Sequence, residues 1–255
     1  MQSFFDTAII AAISKGGIVI KTLNRYGIVA EKDPREIVLL RGKGCAWSAC
    51  RYCDYHLDRS ADADANYAIN AAALAQVDGR YGHLEAVNSG SFCDLDDRSM
   101  NAVLDTCRAK NISKLTIECH WRDRESLPPL RDRCRRQGLE LKVSSGIETF
   151  DGLVREAYLN KGIPADITPA QLAEHFDQTC LLFGLPGQHL AQMVQDLAIG
   201  LTYFDRVTLN IFTPNTRAIK PDPAVIDTFK THILPLIKDN PRVDILMQNT
   251  DFGIG

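Results

Sequence analysis

Short apolar runs alternate with longer amphipathic segments along the chain. The runs are mostly continuous and rich in Val, Ile, Leu or Thr, which is typical of strands buried on both faces. They span Glu36–Leu40, Leu84–Asn88, Lys114–Cys119, Leu141–Ser145, Thr179–Phe183 and Val207–Phe212. The amphipathic segments predict helices over Ala63–Gln76, Ser99–Lys110, Pro128–Gln137, Asp151–Asn160, Leu190–Leu201 and Ala224–Lys238. Six strand–helix repeats predict an α/β fold with a parallel sheet and right-handed crossovers.

Polar stretches follow the predicted strands, where a parallel sheet carries its functional loops. They are a cysteine-rich stretch after the first strand and the stretches Asn88–Asp94, Glu118–Trp121, Ser144–Thr149, Gly184–Gln188 and Asn210–Asn215. We expect residues 36–255 to form one domain, because no low-complexity tract or clean linker interrupts them. Residues 1–35 are expected to form an N-terminal extension, as a helical or hairpin cap.

Composition narrows the class of protein. The 255 residues are 45% hydrophobic, enough for one full-sized core, and the formal net charge of −3 favours neither a nucleic-acid nor a membrane partner. No segment reaches the roughly 18 apolar residues of a membrane span. The start of the chain carries Asp6 and no basic region, unlike a signal peptide. We expect a cytoplasmic protein whose eight cysteines form no disulfides.

Three of these cysteines lie within nine residues, as C-x4-C-x2-C: Cys45, Cys50 and Cys53. Structural zinc and cubane iron–sulfur clusters normally take four protein ligands. A set of three indicates a cluster with one iron open to a substrate or cosubstrate. Zinc is an alternative, since His56 would complete a C-x4-C-x2-C-x2-H set. A non-catalytic iron–sulfur module is a second alternative.

The chain resembles the radical S-adenosylmethionine (SAM) superfamily. The usual motif there is C-x3-C-x2-C with an aromatic residue before the last cysteine; here Tyr52 holds that place, and one extra residue marks an atypical member. The segment Ser145-Gly-Ile-Glu-Thr-Phe-Asp, with Asn160-Lys161-Gly162 further on, is similar to the family's segment after the fourth strand. Leu182-Phe-Gly-Leu-Pro-Gly-Gln is similar to its turn after the fifth. The resemblance implies a partial (β/α)6 barrel.

The resemblance also implies cofactors and roles. The three cysteines would ligate a [4Fe–4S] cluster, and SAM would chelate the open iron through its amino and carboxylate groups. One electron, from a donor such as flavodoxin or ferredoxin, would cleave SAM to a 5′-deoxyadenosyl radical that abstracts a substrate hydrogen. The SAM-binding residues implied are Tyr52, Asn88, Ser89, Gly90, Ser91, Ser145, Glu148 and Gly184. The usual acidic residue of the strip after the second strand is absent here.

The candidate substrate contacts are polar residues at strand ends to which the resemblance gives no role in SAM binding. They are Asp94, Glu118, His120, Asn210 and Asp251. A carboxylate with an aromatic neighbour suits a planar, nitrogen-rich ring.

The stretch Asn88-Ser-Gly-Ser-Phe-Cys-Asp resembles radical SAM proteins of tRNA 7-deazaguanine chemistry. The acidic net charge disfavours tRNA itself, and the chain shows no added RNA-binding module. We therefore expect a small-molecule lyase of queuosine salvage, which cleaves a carbon–nitrogen bond of the free base queuine to give 7-aminomethyl-7-deazaguanine. A radical SAM enzyme acting on tRNA or another small metabolite is the alternative.

Overall fold

The computed structural model of the chain describes residues 10–14, 17–21 and 23–255. Its strands are β1 Ile10–Ser14, β2 Gly17–Lys21, β3 Tyr26–Val29, β4 Arg35–Leu40, β5 His83–Asn88, β6 Lys114–Glu118, β7 Glu140–Glu148, β8 Gln178–Phe183, β9 Arg206–Ile211 and β10 Val243–Leu246. Its α-helices are α1 Ala63–Leu74, α2 Asp97–Ala109, α3 Leu127–Arg136, α4 Pro169–Ala173, α5 Leu190–Tyr203, α6 Pro223–His232 and α7 Leu234–Ile237. Short 3-10 turns span Tyr55–Leu57, Phe92–Asp94 and Trp121–Ser126, and a π-helical turn spans Val154–Tyr158.

Strands β3 to β10 form one sheet in the order of the chain. Neighbours from β4 to β10 are parallel, whereas β3 pairs antiparallel with β4. Strands β1 and β2 form a separate antiparallel hairpin. The parallel strands joined by helices curl into a partial barrel, so the predicted fold class is confirmed.

All six predicted strands are present, and their ends agree within three residues. The largest difference is in β7, which continues through a β-bulge between Gly146 and Glu148. The last predicted helix is split into α6 and α7 because Pro235 cannot donate the backbone hydrogen bond that a continuous helix needs. The helix predicted after β7 is mostly a π-helical turn. The pattern did not predict the four-residue strands β3 and β10.

The two faces of the sheet differ in polarity because side chains alternate along each strand. Val38, Leu84, Leu115 and Val143 are fully buried in the core that packs against the helices. Several of the intervening positions carry polar side chains on the inner face of the barrel, among them Glu85, Thr116, Ser144 and Cys180, whereas β4 places Ile37 and Leu39 there. The inner face of the barrel is therefore mixed in polarity, and its polar positions are available to a ligand.

Buried ion pairs near the amino ends of the strands show how far the sheet curls. Arg35 of β4 pairs with Asp244 of β10 across 3.1 Å, although five strands lie between them in the sheet. Arg35 also pairs with Glu85, and Arg206 Nη1 lies 3.0 Å from the Asp244 carboxylate. These ion pairs hold the two sides of the sheet together. No helix within the described residues is long and apolar enough to cross a membrane.

Replacing Asp244 with Ala should lower the free energy of unfolding by about 3–5 kcal/mol, because two buried guanidinium groups lose their shared partner. Urea unfolding measures the change. Asp105→Ala is the control, since Asp105 pairs with Arg108 at an exposed helix surface and should cost less than about 1 kcal/mol. Equal effects of the two substitutions would show that the buried pairs do not close the barrel.

Candidate cofactor and substrate site

A cavity of about 180 Å³ lies at the carboxyl ends of the parallel strands. Most of the side chains singled out in the sequence line it, together with several others. Those predicted are Cys45, Cys50, Cys53, Tyr52, Asn88, Ser89, Gly90, Ser91, Ser145, Glu148, Glu118, His120 and Asn210. The remaining three, Asp94, Gly184 and Asp251, are not among its lining residues.

The cysteine loop comprises residues 43–55 and is mostly irregular. The turn at residues 159–162, the Lys161 turn, holds this loop from one side. Arg51 N donates to Leu159 O at 2.9 Å. Trp47 Nε1 donates to Asn160 O at 2.9 Å, and Asn160 Nδ2 donates back to Ala49 O at 3.0 Å. These bonds satisfy backbone groups that the loop cannot satisfy internally.

The segment after β9 holds the loop from the other side. Arg217 Nε donates to Cys53 O at 2.7 Å, and its Nη2 donates to Ser48 O at 3.2 Å. Asn215 Nδ2 donates to Tyr52 O. The cysteine loop therefore spans the mouth of the barrel between two attachments more than 100 residues away in sequence.

The three cysteines of the loop are free thiols that share the cavity wall. Burial raises the pKa of Cys50, and raises that of Cys53 to about 12, while the Lys161 ammonium group acts to lower both. Among the described residues, no three His, Cys, Asp or Glu side chains form a group that could hold a metal ion as they stand. Each thiolate ligand of a four-iron cluster binds a different iron, so the ligands surround a volume rather than a point. The side chain of His56 lies outside what the structure describes.

The strip after β5, Asn88–Ser91, lies directly against the cysteine loop. A Cβ atom on Gly90 would come within 2.7 Å of Cys45 Cα, so only glycine fits there. Asn88 Nδ2 donates to Ser91 O at 2.9 Å, but Asn88 Oδ1 is buried without a partner in the described part of the chain. Ser89 Oγ donates to Asp58 O at 2.7 Å.

The end of β7 supplies a second unpartnered group. Ser145 Oγ is buried and accepts or donates no hydrogen bond within the described residues. Buried polar groups are normally paired, by protein, water or ligand. Asn88 and Ser145 both belong to the cavity lining. Alternation along β7 puts the Ser145 side chain on the same face as Val143, opposite to the inner face that Ser144 occupies, so the Asn88 oxygen is the better candidate to accept a hydrogen bond from the amino group of SAM.

Glu148 and Lys161 form an ion pair in the cavity wall. Glu148 has a left-handed backbone conformation, with φ of 69°, at the bulge of β7. Lys161 Nζ lies 2.8 Å from Glu148 Oε1 and 3.1 Å from the Tyr52 hydroxyl. Burial acts to lower the pKa of Lys161, but Glu148 and the cysteine sulfurs more than offset this, so the ammonium group stays charged.

Glu118, at the end of β6, presents a free carboxylate to the cavity. No hydrogen-bond donor from the described residues contacts it. Burial raises the pKa of Glu118 to about 7; Glu85 and Glu148 add to this, and Lys161 opposes it. Asn210 of β9 also lines the cavity. The Glu118 carboxylate and the Asn210 amide thus remain available to a ligand.

His120 is engaged by the protein at both ring nitrogens. Nε2 lies 2.8 Å from Lys161 O, and Nδ1 accepts from Arg122 N at 3.3 Å. Burial lowers the pKa of His120 to about 4, and its ring stacks on Trp47 at 5.8 Å. The neutral imidazole therefore supports the Lys161 turn rather than presenting a free nitrogen.

Asp94 links the Asn88 strip to the cysteine loop. Its Oδ2 accepts from Ser91 N at 2.9 Å and from Ala46 N at 3.3 Å, and its Oδ1 pairs with Arg122. The side chain is 6% exposed. In this structure the carboxylate is occupied by the protein.

The other two predicted residues are also engaged by neighbouring groups. Gly184 has φ of 102°, and its N–H donates to Gln188 Oε1 at 3.0 Å in the turn after β8. Asp251 Oδ2 accepts from Gln248 N at 2.9 Å in the C-terminal turn.

The sequence pattern gave no role to Lys161 as a side chain. The signal lies in its neighbours: Asn160 and Gly162 both have left-handed φ values, of 55° and 76°. Trp47 lies over Gly162, where a Cβ atom would come within 2.6 Å of the indole ring. An Asn-Lys-Gly triplet after a helical segment thus predicts a tight turn that presents the lysine.

Comparison with known proteins identifies the family to which the chain belongs. No family model matches the chain, and no curated protein matches it. Among solved structures, queuine lyase from Clostridium spiroforme, bound to SAM and queuine, is similar with a TM-score of 0.86 and 37% identity, covering 91% of this chain and 99% of that chain. The chain belongs to the queuine lyase family of radical SAM enzymes.

Membership of the queuine lyase family makes the chain a lyase with a [4Fe–4S] cluster and SAM as cofactors. The free thiols, the Gly90 contact and the unpartnered Asn88 oxygen agree with that cofactor pair. SuiB from Streptococcus suis has a TM-score of 0.48 at 12% identity, covering 82% of this chain and 48% of that chain. A likeness at that level identifies neither fold nor function.

Asp94→Ala should reduce the iron bound after anaerobic reconstitution, because the cysteine loop loses its bond to the Asn88 strip. The free energy of unfolding should fall by about 1.5–3 kcal/mol, the range for hydrogen bonds to a charged group. Iron analysis and urea unfolding measure these changes, with Asp97→Ala on exposed α2 surface as the control. A substrate contact would instead raise KM and leave the iron content unchanged.

Proposed function

We propose that this chain cleaves queuine at a carbon–nitrogen bond and releases 7-aminomethyl-7-deazaguanine. The observation that carries the proposal is the 37% identity over 99% of a queuine lyase bound to SAM and queuine. The cavity adds a chemical argument, since it offers a free carboxylate beside the groups that fit SAM. The eight free cysteines support a reducing, cytoplasmic location.

The cysteine loop supplies the cluster ligands in this proposal: Cys45, Cys50 and Cys53. When bound, the cluster and SAM supply radical chemistry that one electron starts and that removes a hydrogen atom from the substrate. The electron comes from an external donor such as flavodoxin or ferredoxin. The protein contributes orientation, within the cavity at the carboxyl ends of the strands.

The cavity wall orients SAM through groups that the protein leaves free. Asn88 Oδ1 would accept a hydrogen bond from its amino group. Gly90 lets the strip approach the cysteine loop closely. Glu148 reaches the same space from β7, where its left-handed backbone turns the side chain toward Lys161.

Glu118 recognises the base. A 7-deazaguanine ring presents neighbouring N–H groups on one edge, and a carboxylate accepts two such bonds side by side. The carboxylate has no competing donor in the described chain, and Asn210 lies in the same cavity to complete the polar contacts. Asp94 and Asp251 are already occupied by backbone N–H groups.

Anaerobically reconstituted protein, reduced with dithionite and given SAM and queuine, should produce 5′-deoxyadenosine and 7-aminomethyl-7-deazaguanine by mass spectrometry. A parallel reaction contains tRNA instead of queuine. Turnover with tRNA and none with queuine would refute the proposal.

Cys50→Ala should abolish cluster binding, because a cluster with two thiolates left is not held. Iron and sulfide content should fall from about four of each per chain to background, and SAM cleavage should stop. Cys134→Ala, a buried cysteine of α3 outside the cavity, should keep its iron. Iron retained at the wild-type level in Cys50→Ala would overturn the ligand assignment.

Queuine binding should strengthen as pH rises through about 7, since Glu118 accepts two N–H bonds side by side only once it is ionised. The raised pKa leaves the carboxyl protonated below that value. Glu118→Gln should weaken binding by roughly 10- to 150-fold, the equivalent of 1.5–3 kcal/mol, and flatten the pH dependence. Isothermal titration from pH 6 to 8 measures both. A variant with wild-type affinity and the same pH profile would remove Glu118 from the base site.

A further inference from the structure

We propose that Lys161 is a positioning residue that raises the reduction potential of the cluster, with Glu148 and Tyr52 fixing its ammonium group. The proposal rests on the cysteine loop as the cluster site and is independent of the substrate.

Lys161 is the only lysine or arginine among the cavity-lining residues of the described chain. Its side chain is 13% exposed, and its Nζ lies 2.8 Å from Glu148 and 3.1 Å from the Tyr52 hydroxyl. Tyr52 stands between Cys50 and Cys53 in the loop. The charge is therefore held beside the ligand-bearing residues.

The ammonium group has little freedom to move away. A Cβ atom on Gly146 would lie 2.9 Å from Nζ, so the lysine side chain passes closely over the β7 backbone. The Lys161 backbone carbonyl accepts from His120, and Trp47 bonds to the preceding residue. The Lys161 turn and the cysteine loop thus form one connected unit.

The sign of the electrostatic effect follows from charge and position. Lys161 Nζ bonds to the hydroxyl of Tyr52, which stands between Cys50 and Cys53, so a positive charge is held beside the residues that would bind the cluster. A reduced cluster carries one more negative charge than an oxidised one. The nearby cation therefore stabilises the reduced state more, and net charge is one of the factors that set cluster potentials.

An EPR-monitored redox titration of reconstituted protein without substrate tests the proposal. Each cluster takes up one electron from dithionite through mediators, and no bond forms or breaks. Lys161→Met, which keeps the length but removes the charge, should have a more negative midpoint potential than the wild type. Lys161→Arg, which keeps the charge, should stay near the wild-type midpoint. Equal midpoints for the Met and Arg variants would overturn the proposal and leave Lys161 a structural role.

Glu148→Gln provides a second test if Lys161→Met does not load iron. Removing the opposing carboxylate leaves the lysine charge uncompensated, so the midpoint potential should become more positive. An unchanged or more negative midpoint would contradict the proposal. A wild-type protein that binds the cluster but does not turn over queuine would refute the proposed substrate and leave the Lys161 test valid.

Discussion

The site depends on the hydrogen bonds that hold the cysteine loop across the mouth of the barrel. The loop lacks extended regular structure, and its backbone groups are satisfied from outside. Arg217 and Asn215 bind it from one side, and the Lys161 turn binds it from the other. The positions of the three thiols are therefore set by segments distant in sequence, and the proposed cluster site exists only in the folded barrel.

Curling of the sheet brings those segments within reach. Arg35 and Asp244 pair between strands that an open sheet would keep far apart, and Lys32 Nζ donates to Val243 O at the start of β10. These contacts lie on the sides of the sheet that meet when the barrel closes. Closure of the barrel near the amino ends of the strands thus supports the geometry of the cofactor site at the opposite ends.

Local patterns in the sequence were enough for the parallel strands and the cysteine triplet. Each strand is a continuous apolar run, and the three cysteines lie within one short loop. Strands β3 and β10 were missed because four residues give too short a pattern to distinguish from a loop. The role of Lys161 depends on contacts to Tyr52, 109 residues away, which no local pattern contains. Asp94 illustrates the same limit, since its bond to Ala46 joins two loops through the fold.

The proposed function requires queuine to lie in the cavity with its cyclopentenediol ring within reach of the radical formed from SAM. Queuine deuterated at the carbon-bound positions of that ring provides the most direct measurement. Mass spectrometry should find deuterium in the 5′-deoxyadenosine produced during turnover. Unlabelled 5′-deoxyadenosine formed alongside cleaved queuine would contradict the proposed function, because the hydrogen would then come from another source.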